Sequence, residues 1–142
     1  MGYDKDDNKD RLLKDYDSIL REGSILTTFS GFLFGFLLNI SVRPETLSLI
    51  NRVTLLVAIT SIAIAISLFV LPVIYHHLEY PYRDLEKFKK RAHRFLLFGF
   101  IPAGVTLYLS LEVAISLLAG EFAFGIAAIP FAFVYILYQK RR

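Results

Sequence analysis

Cysteine is absent from this 142-residue chain, so it holds no disulfide framework, no thiol nucleophile and no cysteine metal site. A glycine-rich nucleotide loop is missing too, as are an aspartate pair and a Ser, His and Asp set at one depth. Nothing here suggests an enzyme, and nothing calls for a cofactor. Polar sequence is too scarce for a soluble domain, because 55% of the residues are hydrophobic. There is no cleaved signal pattern either. The first apolar run follows more than 20 mostly polar residues and has no small-residue cleavage site after it.

What is present is four hydrophobic runs, roughly Ile25–Val42, Val53–Tyr75, Phe95–Ala119 and Phe122–Tyr138. A helix rises about 1.5 Å per residue, so about 20 apolar residues cross a hydrocarbon core of roughly 30 Å. The expected fold is therefore all-α and integral to the membrane: one domain holding a four-transmembrane-helix bundle of two antiparallel hairpins. Its obligatory partner is the lipid bilayer.

Net charge is +3, yet the basic residues are not laid out for nucleic acid. They flank the apolar runs. Lys5, Lys9, Arg11, Lys14 and Arg21 precede the first, and Arg83, Lys87, Lys89, Lys90, Arg91 and Arg94 lie in the central connection 76–94. Lys140, Arg141 and Arg142 end the chain, leaving only Arg43 and Arg52 for the other side. The positive-inside rule then predicts a multi-pass protein of the cell (inner) membrane with both termini and the central loop in the cytoplasm. Tyr75, Tyr80, Tyr82, Tyr135 and Tyr138 fall at the same inner boundary, where a ring with one polar end is favoured.

Segment 10–22 places Leu12, Leu13, Tyr16, Ile19 and Leu20 at helical spacing opposite a charged face. That pattern predicts an N-terminal amphipathic cytoplasmic helix, either lying on the membrane surface before a turn at Gly23 or packed on the central loop. Residues 1–23 carry seven acids against five bases, enough to dock on the basic loop. Leu85, Phe88, Ala92 and Phe95 share one helical face, so the third span is expected to begin as a cytoplasmic extension near Arg83. Pro44 suits the first turn of a short outer helix or a lengthened second span. Pro72, Pro102 and Pro130 fall inside apolar runs, where membrane helices tolerate them. Gly120 and Glu121 leave room only for a tight hairpin between spans three and four.

Several residues are candidates for more than packing. Glu112 is the one ionisable group deep in an apolar run, roughly 12 Å below the outer boundary. By default such a carboxyl suggests a proton relay or cation site; the alternative is a hydrogen bond to Ser110, to Ser116 or to a hydroxyl of span two. His76, His77 and His93 meet at the inner boundary and suggest a metal or pH-sensing pair, without a fixed third ligand. Lys87, Lys90, Arg91 and Arg94 would attract anionic lipid heads, or simply supply the inner charge excess. Gly31 and Gly35, four apart on span one, allow close helix approach within the chain or between copies; Gly99 belongs with them. Asn39 and Ser41 form a glycosylation triplet placed too near the hydrocarbon to be modified readily. Leu33-Phe34-Gly35-Phe36 recurs as Leu97-Phe98-Gly99-Phe100, as a duplicated hairpin or a coincidence would allow.

The stretch Phe32–Leu38, the block Leu71–His76 and the basic run into Ala92-His93-Arg94 carry a further signal. From about Leu12 to the end, the chain resembles a prokaryotic family of small four-helix membrane proteins, domain-of-unknown-function family 6328. It departs from that family's usual residues at His77, where arginine is typical, and at Asn39, where threonine is common. Some members carry a sodium–proton antiporter label, but one carboxyl without an acid pair gives that label little support here. The resemblance implies architecture, not activity. The expected role is an accessory or structural packing component, working as a homo-oligomer or beside other membrane subunits. An ion or proton channel or transporter built on Glu112 is the second expectation, and a lipid- or metal-responsive surface is the third.

Overall fold

The computed structural model describes residues 3–43, 45, 47–79 and 84–141, with side chains from Lys14 onward. Pro44, Tyr80, Tyr82, Arg83 and Arg142, and the side chains of Leu12 and Leu13, lie outside the described residues. The described chain is all helical: α1 Tyr3–Ser41, α2 Leu49–Glu79, α3 Leu85–Ala119 and α4 Ala123–Lys140. A 3-10 turn at Gly120–Phe122 joins the last two. Three helical stretches, Lys14–Ser41, Leu49–Glu79 and Leu85–Lys140, are long and apolar enough to cross a membrane.

The third of these stretches folds back on itself. Gly120 has φ 56° and ψ −129°, and its N–H donates to the Ser116 carbonyl. That backbone suits glycine because no Cβ opposes it. The Tyr108 ring lies 5.6 Å from that of Phe124 and 5.8 Å from that of Phe131. In one straight helix, Tyr108 and Phe131 would stand about 34 Å apart. α3 and α4 are therefore an antiparallel hairpin.

α1 corrects the sequence reading. It runs without interruption through Gly23, so the N-terminal segment is no separate helix lying on a membrane surface. Gly23 is where a turn was expected, yet it is a contact point. A Cβ there would stand 3.4 Å from the Phe69 carbonyl and 3.6 Å from Leu96. From Asp15 to Gly23, α1 instead packs on the ends of α2 and α3. Tyr16 and Ile19 join the buried core, and the Tyr16 ring meets His76 and Phe88 at 5.6 and 5.3 Å. Asp15 forms an ion pair with Lys89. Hence the expected docking of the N-terminal segment on the basic region replaces the surface-lying alternative.

The expected central loop 76–94 is mostly helix, because α2 continues to Glu79 and α3 begins at Leu85. Asp84 caps α3: its carboxylate accepts from the Lys87 N–H at 3.1 Å. That hydrogen bond, then the Lys87 side chain, holds the Asp84 carboxyl below its ordinary 3.8. A depressed carboxylate stabilises the fold above its unfolded value, and the contribution fades as pH falls through the lower folded one. Asp84→Asn is thus expected to flatten the acid limb of a stability–pH curve below about pH 4, a change readable by circular dichroism. An unaltered limb would contradict the cap's role.

Helix α2 is central, packed on both α1 and α3, and small side chains let the helices close in. Ala58 and Ala65 are fully buried, beside Leu55, Ile62 and Phe69. Pro72 and Pro102 leave their helices unbroken. Near Pro102, Thr106 donates to the Pro102 carbonyl at 2.9 Å and lies 3.2 Å from the Ala58 carbonyl of α2. At the far end, Asn51 donates to Ser116 at 2.8 Å, a second polar tie between α2 and α3. α4 is different: beyond Ala123 and Ala127 it buries little.

Candidate functional site

Glu112 sits on α3 seven residues before its end, about 10 Å along the axis. One carboxylate oxygen, Oε2, is buried and has no hydrogen-bond partner among the described residues. The serines expected to satisfy it are engaged elsewhere. Ser110 donates to the Thr106 carbonyl at 2.7 Å. Ser116 donates to Val113 at 2.8 Å and accepts from Asn51.

Tyr108, Glu112 and Ser116 follow one another at four-residue steps, so they lie on one face of α3. Tyr108 donates to the Phe124 carbonyl at 3.2 Å, pinning the start of α4. The face is therefore a short polar ladder reaching inward from the end where Asn51 meets Ser116. Its centre is the carboxyl with an unmet acceptor. Such an arrangement can take a proton, a cation or a donor from another chain. Asn51 and Tyr108 had no place in the sequence reading. The i, i+4 spacing from Glu112 was the signal that points to Tyr108.

The histidines do not assemble into a metal centre. His76 and His77 are neighbours, with ring centroids 5.3 Å apart. His76 also lies against Tyr16. Among the described residues there is no cluster of three or more His, Asp or Glu side chains able to hold a metal ion. His93 is exposed on α3.

The basic residues expected to face lipid headgroups are mostly paired inside the chain. Lys87 meets Asp84 at 3.0 Å, Lys90 meets Glu86 at 2.8 Å, and Arg91 meets Glu79 at 3.3 Å. These exposed pairs are weak, worth about 1 kcal/mol or less each. Among the four candidates, Arg94 alone has no ion pair within the described residues.

The three glycines divide sharply. A Cβ on Gly99 would strike the Phe69 ring, with Cδ1 at 2.7 Å, so α2 and α3 touch there. Gly31 and Gly35 have nothing within 4 Å of a built Cβ and are exposed. Of the two alternatives for Gly31 and Gly35, close packing within the chain is not the one seen: they point out of the bundle. The repeated Leu-Phe-Gly-Phe motif thus occupies two different environments, one glycine open and the other covered.

Three helical stretches with the length and composition of membrane spans, in a chain described as helical from end to end, fit an all-α protein of membrane type. More narrowly, the chain belongs to the family described as Family of unknown function (DUF6328), whose model matches residues 5–139. No curated protein and no solved structure matches it.

Proposed function

We propose that this chain is a four-span protein of the cell membrane, with both termini and the α2–α3 connection cytoplasmic. In this reading it acts as a packing or accessory component, associating with itself or with other membrane subunits. The observation that carries the reading is the outward face of α1. Ser24, Thr28, Gly31 and Gly35 recur along it at helical spacing and are all exposed. Small residues on a lipid-facing surface let a second helix approach closely, and that approach is the main source of helix association in lipid. Single-molecule photobleaching of the labelled chain in native-lipid nanodiscs tests this. Two or more copies per particle, or a retained foreign subunit, fit the proposal; isolated single copies count against it.

A second reading rests on the unmet Glu112 oxygen. Here the ladder is an ion or proton site open to the α3–α4 turn. Flux into proteoliposomes that Glu112→Gln removes would support it. Equal flux from wild type and variant would end it. No specific observation favours the lipid- or metal-responsive alternative: Lys87, Lys90 and Arg91 have ion-pair partners within the chain, and the described residues hold no metal-binding cluster.

A further inference from the structure

In an up-down-up-down bundle the last helix closes against the first as well as the third. Here α4 packs mainly on α3, and the space between α1 and α3 is a groove of about 230 Å³. The two helices meet at one end, where Asp15 pairs with Lys89 and Gly23 faces Leu96. Beyond those contacts, Leu26 and Leu33 form one wall, Phe100, Gly104 and Leu107 the other, and Phe69 part of the floor.

A helix segment of matching character stands elsewhere in the same molecule. Residues 132–140 of α4 are exposed on every face, with Phe133 61%, Val134 65% and Ile136 55% accessible. Its depth matches as well. Tyr108 meets both Phe124 and Phe131, so α4 runs antiparallel beside α3 and residues 132–139, beyond those contacts, run on toward the depth of the groove's α3 wall. Charge agrees with depth. Glu22 lies four residues before Leu26 on the same face of α1, exposed and without an ion pair among the described residues. Lys140 and Arg141 end α4, exposed and likewise without ion pairs among the described residues.

We propose that α4 of a second copy seats in the α1–α3 groove, with its Lys140 and Arg141 facing Glu22. A two-fold axis along the membrane normal makes the exchange mutual, each copy lending its α4 to the other. Both copies keep one orientation, so the inserted helix runs antiparallel to α1 and α3, as a fourth bundle helix should. The assignment rests on the self-association reading above and adds a second surface to it, because Leu26 and Leu33 lie on the face of α1 opposite Gly31 and Gly35.

The absence of natural cysteine makes cross-linking a clean test. Two differently tagged copies are co-expressed in membranes, one carrying Gly104→Cys and the other Val134→Cys, and the isolated membranes are treated with a mild oxidant such as copper–phenanthroline. A Cβ on Gly104 meets nothing within 4 Å and Val134 is exposed, so both changes are accommodated. The expected product is a disulfide dimer bearing both tags. It should be absent when Gly104→Cys is replaced by Leu56→Cys, on the exposed face of α2. Glu22→Lys is expected to lower the yield about fivefold, and adding Lys140→Glu with Arg141→Glu should restore it. If the Leu56→Cys pair cross-links equally, or no pair does while photobleaching still counts two copies, the groove assignment is overturned and self-association survives. Single copies throughout would remove both.

Discussion

Gly99→Ala is expected to destabilise the fold by about 2 kcal/mol, the scale of overpacking in a close-packed interior. The added methyl falls against the Phe69 ring, whose Cδ1 would lie at 2.7 Å. That ring has little freedom to yield. Phe69 is 1% exposed, its ring lies 5.9 Å from that of Phe100, and its carbonyl faces Gly23 of α1. Moving Phe69 would therefore disturb α1, α2 and α3 together. Phe69→Leu, introduced with Gly99→Ala, is expected to recover more than half of the loss, a coupling that residues in contact show. Gly31→Ala and Gly35→Ala, with open space around them, should change monomer stability by less than about 0.5 kcal/mol. Urea unfolding in bicelles reads all three effects. Equal losses at Gly99 and Gly35 would contradict the packing described here.

Glu112→Leu is expected to act in the opposite direction, raising stability by about 1–3 kcal/mol. A buried acceptor left without a partner costs about that much, and an apolar side chain of similar size removes the cost. Glu112→Gln should give little or none of the gain, since an amide carries the same unmet oxygen. A position that lowers the stability of its own fold is a candidate for work elsewhere, in ion handling or in contact with another chain. A Glu112→Leu variant less stable than wild type would show that the carboxyl supports this fold and would weaken both readings.

The sequence revealed much of the architecture because lipid and water sort residues coarsely. Apolar runs, flanking charge and the Gly120 hairpin could all be read directly. Gly23 shows where that reading fails. A glycine between a charged and an apolar segment looks like a turn, yet its missing side chain lets α1 pass against Phe69 and Leu96. Gly31 and Gly99 show the same limit. Spacing places a glycine on a helix face, but only the fold decides whether that face meets a neighbour or the outside. Glu112 was conspicuous by type alone. Its unmet oxygen was not, because the nearby serines looked available until their partners at Val113, Asn51 and Thr106 were known. The basic cluster before α3's apolar part was legible as charge, while its pairing with Asp84, Glu86 and Glu79 depended on where α2 stops and α3 starts.

Substituted-cysteine labelling in intact membranes tests the four-span arrangement most directly. Cysteines are placed singly at Ser18, Glu45, Glu121 and Gln139 and exposed to an impermeant thiol reagent from either side. The account predicts that Ser18 and Gln139 react from one side, and that Glu45 and Glu121 react from the other. Gln139 and Glu121 reacting from the same side would mean that α4 does not cross, and the arrangement would be contradicted.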